Sequence, residues 1–152
     1  MDYLNSNYDF EITDSILDYY NGKDEDVAVP DFVNIISDYT FCDNTHIKNV
    51  FIPDSVTEIY EDAFSGCVNL EKIELSKSIK RIDKRIFFDC KKLKEIIIPD
   101  SVISIEKSAF RGCKKLEKIK ASFSEWRIGT SGASKVHTEN WLSGASTTGV
   151  FE

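Results

Sequence analysis

The chain lacks several common features, and each absence narrows what it can be. In its 152 residues no apolar run approaches the ~20 residues that a membrane-spanning helix needs. Its start, MDYLNSNYDFEI, has neither the basic beginning nor the apolar centre of a secretory signal. As written, the chain is expected in the cytoplasm, unless it is the mature part of a longer exported protein. There are two histidines, His46 and His137, with no partner at any motif spacing, and four cysteines with no C-x-x-C pair among them. Nothing matches G-x-S-x-G, H-E-x-x-H, a phosphate-cradling glycine loop or a calcium loop. Abundant carboxylates offer no pair that stands out as an acid–base couple. These absences point to a non-catalytic protein with no cofactor and no metal. A formal charge of −7 disfavours specific nucleic-acid binding.

Basic residues are also scarce, but only at one end. Residues 1–62 hold 15 acids against Lys23 and Lys48, a net −13, whereas residues 63–152 carry +6. The molecule should have an acidic end and a basic end, open to head-to-tail contact between copies or to capture of charged partners. As a third reading these are two solvated surfaces of different sign.

What is present is a repeat. Phenylalanine stands at Phe41, Phe64, Phe87 and Phe110, 23 residues apart. The same step links Ile36, Ile59, Ile82, Ile105 and Ile128, and it links Ile47, Leu70, Leu93 and Leu116. Pro30, Pro53 and Pro99 share a column in which Ser76 fills the gap, and Cys67, Cys90 and Cys113 share another. A period of this length means stacked units, each too small to bury its own apolar face. Within a unit, Leu70-x-x-Ile73-x-Leu75 alternates as a half-buried strand, and proline after it ends the ladder. Val56-x-x-Ile59 begins a return side, and Ala63-Phe64 falls in a short turn or helical piece closed by Gly66, as Gly112 closes its counterpart. Stacking sets the strands parallel, ~4.8 Å apart. The expected fold is a β-rich α/β solenoid, a right-handed coil of parallel strands with short helical or 3-10 corners.

The pattern in IPDSVTEIYEDAFSGCVNLEKIEL (52–75) and IPDSVISIEKSAFRGCKKLEKIKA (98–121) resembles the leucine-rich repeat, specifically the BspA-like class with a 23-residue period. FEITDSILDYYNGKDEDVAVPD (10–31) is similar to the segment that begins such arrays. The departures are Thr40 for alanine, Asn44 for cysteine and the bulky Ile86-Phe87-Phe88. After Ile128-Gly129 the columns fail, with Ala133, Val136 and Glu139 out of pattern. The organisation expected is an N-terminal cover over 1–28, a solenoid over 29–128, and a degenerate C-terminal cover or flexible tail over 129–152. FEITDSIL alternates, so the first cover should be a hairpin-like pair of strands. The resemblance implies interaction or adhesion roles, often on cell surfaces, and a binding face on the exposed strand positions.

Those positions form two columns. One reads Asp26, Asn49, Lys72, Glu95, Lys118, and the other Ala28, Phe51, Glu74, Ile97, Lys120. Glu95 lies between Lys72 and Lys118 and should pair across strands. Phe51 and Ile97 should face solvent on either side of Glu74, where they can anchor a protein partner. The candidate partner-binding residues are thus Asn49, Phe51, Lys72, Glu74, Glu95, Ile97, Lys118 and Lys120. A second candidate is a basic surface for an acidic glycan or other polyanion. It comprises Lys91, Lys92, Lys94, Lys114 and Lys115 in register, with Lys77, Lys80, Arg81, Lys84 and Arg85 on the return side. The aligned cysteines are expected to be buried structural thiols, and Cys42, off their column, to be more exposed.

Overall fold

The computed structural model describes residues 9–121. Two strands recur in every winding. The ladder strands are β3 (Asp26–Ala28), β5 (Asn49–Phe51), β7 (Lys72–Glu74), β9 (Glu95–Ile98) and β11 (Lys118–Ala121). The return strands are β2 (Ile16–Tyr20), β4 (Ile35–Ile36), β6 (Glu58–Ile59), β8 (Arg81–Ile82) and β10 (Ser104–Ile105). Equivalent strands pair in parallel, at a step of 23 in Asp26↔Asn49↔Lys72 and Ile35↔Glu58, and at a step of 19 where β2 joins the stack, Ile16↔Ile35. Because side chains alternate across a strand, Val27, Val50, Ile73, Ile96 and Ile119 all point inward and are buried. The core therefore runs along the stack. Phe41, Phe64, Phe87 and Phe110 form a file of rings with centroids 4.7, 5.8 and 5.5 Å apart.

At the start of the array, β1 (Phe10–Thr13) and β2 form an antiparallel hairpin. Asp14 and Ser15, the two loop residues, both have positive φ (49° and 66°), as the tightest hairpin turns require. On its other side β2 pairs with β4, so the segment read as a cover also supplies the first strands of the stack. The expected C-terminal cover or tail, 129–152, and His137 lie outside the described residues.

The corners, expected as short helical or 3-10 pieces, are successive turns, and no helix occurs among the described residues. The physical reason is where their N–H groups go. Phe41, Phe64 and Phe87 donate to Ala63, Ile86 and Ala109 of the next winding, at 2.8, 3.0 and 2.9 Å. A donor spent between windings cannot close a helical turn within one. Positive φ at Asp43, Gly66, Asp89 and Gly112 also stops the chain coiling on.

The stack is not uniform. Its hydrogen-bonded sheets are β1-β2-β4-β6 and β3-β5-β7 on one side of a break, and β8-β10 and β9-β11 on the other. Between β7 and β8 the chain leaves one block and enters the next, at Ser76, the residue in the proline column. Ser76 is buried, and its Oγ donates to the Val56 carbonyl while accepting the Ser78 N–H. The corner stays bonded across the break. Asp62, Phe64 and Gly66 donate to Lys84, Ile86 and Phe88, and Arg85 Nη2 reaches Asp62 Oδ2 at 2.6 Å.

Candidate functional site: the exposed face of the ladder

The ladder brings all eight sequence-selected residues onto one set of strands, and its register sets their neighbours. Asn49 Nδ2 donates to Asp26 Oδ1 at 2.6 Å. Lys120 Nζ meets Glu95 Oε1 at 3.0 Å. Lys72 differs from the expected cross-strand pairing with Glu95: it turns to Glu74 on its own strand, at 2.9 Å. The break accounts for this, because β7 and β9 belong to different sheets and their side chains are not held opposite one another.

Phe51 and Ile97 are 49% and 55% exposed, against near-complete burial of the columns beside them. Each borders a hollow. One of about 350 Å³ lies over β3 and β5 and is lined by Ala28, Val50 and Phe51. The larger, about 730 Å³, follows the break between β7 and β9. Its apolar wall is Ile73, Leu75, Ile97 and Pro99, and Lys72 and Glu95 stand at its edge. The Lys72–Glu74 pair lines both hollows and separates them. Reading the sequence alone missed the apolar wall, since Ile73, Leu75 and Pro99 sit in core columns. Ser76, breaking the proline column, was the only signal of the interruption.

The other candidates fall into structural roles. All four cysteines are free thiols. Cys67, Cys90 and Cys113 are buried, and each Sγ donates to the phenylalanine carbonyl of the preceding winding: Phe41, Phe64 and Phe87, at 3.0, 3.2 and 3.0 Å. Burial pushes the Cys67 and Cys113 thiols up to about 12, and Cys90 well above its ordinary value. Asn44 does the same work in its column, donating to the Gly22 carbonyl at 3.0 Å. Cys42 is half-buried, and desolvation and Asp43 raise its pKa as well. His46 is exposed. No group of three or more metal-ligating side chains occurs among the described residues, nor does any helix long and apolar enough to cross a membrane.

A parallel β-solenoid with aligned side-chain files and an open strand face is the structure of a leucine-rich-repeat protein, a class that typically binds rather than catalyses. This chain belongs to the family of BspA-type leucine-rich-repeat regions, which matches residues 12–132 in six copies. Solved structures share the fold. A leucine-rich-repeat protein from Bacteroides capillosus is 28% identical, with a TM-score of 0.67 over 75% of this chain and 93% of that one. A leucine-rich cell surface protein from Faecalibacterium prausnitzii is 27% identical, with a TM-score of 0.66 over 73% of this chain. The match takes in 36% of that protein's length. The pneumococcal vaccine antigen PcpA matches 90% of this chain and 44% of its own, at 22% identity and a TM-score of 0.68. No curated protein matches.

Proposed function

We propose that this chain is a non-catalytic interaction or adhesion module that binds a protein partner through the exposed face of its ladder. Phe51 and Ile97 are the anchors, and Asn49, Lys72, Glu74, Glu95, Lys118 and Lys120 form the polar surround. One observation carries the reading. Two large apolar side chains stand half-exposed on an otherwise polar face, each beside a hollow, with a charged pair between them. Interfaces concentrate their affinity in a few such anchors seated beside pockets. Likeness to a cell surface protein supports the adhesion side of the reading.

The test is capture of a binding partner from the native host, followed by titration of that partner against Phe51→Ala, Ile97→Ala and the double variant. Each truncation should weaken binding about tenfold, on the order of 1.4 kcal/mol, and leave the melting temperature nearly unchanged. A partner bound equally well by the double variant ends the proposal.

A further inference from the structure

Among the described residues, three lysines on or beside the ladder are tied to carboxylates: Lys48 to Glu25 at 2.7 Å, Lys72 to Glu74, Lys120 to Glu95. On the return side Arg81 meets Asp83 and Arg85 meets Asp62. Lys91, Lys92, Lys114 and Lys115 are all exposed and enter no ion pair recorded among the described residues.

Their placement is repeated with care. Each doublet occupies the middle of the same turn, closed by Leu93 N–H to the Cys90 carbonyl (3.2 Å) and by Leu116 N–H to the Cys113 carbonyl (3.1 Å). Inter-winding bonds hold the turns in register: Asp89 N–H to the Arg111 carbonyl before the doublets, Glu117 N–H to the Lys94 carbonyl after them. The doublets therefore sit one above the other, ~4.8 Å apart along the stack. Arg111 lies beside them over the half-buried Phe88 ring, 5.9 Å from its centroid. The same turn in earlier windings holds Thr45-His46 and Val68-Asn69, so the fold does not require lysine there. Like charges stacked in register repel one another, which makes the arrangement costly to the fold by itself.

We propose that this corner is a binding site for an anionic polysaccharide, a chain carrying sulfate or carboxylate groups. Four flexible point charges hold a single small anion weakly, but together they match a polymer that offers several anions at once. Single-stranded nucleic acid fits less well, because it rewards bare aromatic faces for base stacking. Among the described residues, the exposed aromatics Tyr19, Phe32, Tyr39 and Phe51 all lie in the acidic part of the chain, and Phe88 has Arg111 over its ring. A second copy also fits less well, since several of its carboxylates are engaged at home: Asp62 with Arg85, Glu25 with Lys48, Asp26 with Asn49, Asp54 with the Lys77 N–H.

The experiment is heparin affinity of the full chain. A protein of net charge −7 that is retained at low salt must be held by a local patch. Wild type should be retained in 50 mM NaCl, a concentration of about the lower end used for such salt titrations. Lys91→Gln, Lys92→Gln, Lys114→Gln and Lys115→Gln combined should abolish retention. In solution the same variant should flatten the slope of log affinity against log salt by roughly three to four. A control that removes lysines outside the whole basic surface, Lys23→Gln, Lys48→Gln and Lys107→Gln combined, should elute as wild type does, and so should Phe51→Ala with Ile97→Ala. Flow-through of wild type overturns the proposal, as does equal loss in the control. Tighter binding of oligothymidylate than of heparin overturns it in favour of nucleic acid. Salt-sensitive oligomers that the four-lysine variant abolishes, seen by light scattering, overturn it in favour of self-association.

Discussion

The two hydrogen-bonded blocks of this solenoid are built on one repeat and carry opposite charge. Residues 9–75, up to the break, hold 16 acids against three bases, a net −13. Residues 76–121, beyond it, hold six acids against 14 bases, a net +8. The charge boundary and the hydrogen-bond boundary nearly coincide. Inside, the two blocks are alike: the same phenylalanine file, the same thiol-to-carbonyl bonds, the same turns. The comparison teaches that the repeat's inward positions fix the coil and leave the outward ones free to diverge. It also shows where the coil is weakest. At the break the ladder and return bonds lapse; the corner joins the blocks through the Phe64–Phe87 stack, three backbone bonds, the Cys90 thiol on the Phe64 carbonyl and the Arg85–Asp62 pair, and Ser76, Lys77 and Ser78 bond back to Val56 and Asp54.

The largest expected effect acts on both blocks at once, through alkali. Cys67 and Cys113 remain protonated in the folded chain up to about 12, and Cys90 beyond its usual range, because burial disfavours the thiolate. In the unfolded chain thiols ionise at about 8.5. Below that value both states are protonated and the stability attributable to these groups is intact. As pH rises from about 8.5 towards 12 that stability is progressively lost, because only the unfolded chain releases the thiol protons. Tyr20, raised to about 12, adds to the loss above about pH 10. Urea unfolding at a series of pH values measures this; a curve flat to pH 11 would mean the thiols are solvated.

The next effect tests what joins the blocks. Phe87→Ala removes a fully buried ring from the middle of the file and should cost about 3–5 kcal/mol. If the corner is the main joint, thiol labelling in mild urea should then reach Cys90 and Cys113 before Cys67. Simultaneous labelling of all three would show that the blocks still open as one.

A smaller effect compares one device in its two settings. Gly66 and Gly112 have φ of +75° and +81°, and a Cβ on either would run into Asp43 Oδ1 or Asp89 Oδ1. Gly66→Ala and Gly112→Ala should each cost about 1–3 kcal/mol. Adding Asp43→Ala or Asp89→Ala should recover only part, because the backbone strain remains. Equal costs mean equally rigid corners; a lower cost at Gly66 would place the give at the break.

The finest test is amide exchange. Val29 and Ile52 donate across to Phe51 and Glu74 in the next winding, at 3.0 and 2.9 Å. Leu75, next in that column, faces the break, where no β7–β9 pairing exists. Its amide should exchange at least about tenfold faster than that of Ile52. Equal protection would mean the break closes in solution.

The sequence by itself determined the coil. A 23-residue period in Phe, Ile, Leu and Cys leaves only one way to bury those side chains, each on its counterpart one winding away, and alternation assigns inside from outside. That is why the phenylalanine file, the parallel register, the buried thiols and the outward placing of Phe51 and Ile97 were all legible before any coordinates. The tertiary structure alone decided how neighbouring windings meet. A periodic sequence predicts every interface alike, but hydrogen bonding between windings depends on small shifts of backbone that no side-chain pattern encodes. Hence the corners made of turns, the break beside Ser76, the hollow it opens, and the diversion of Lys72 to Glu74 came from the packing. The pairing of Lys48 with Glu25 and of Lys120 with Glu95 came from it too, because a charge finds its partner through space.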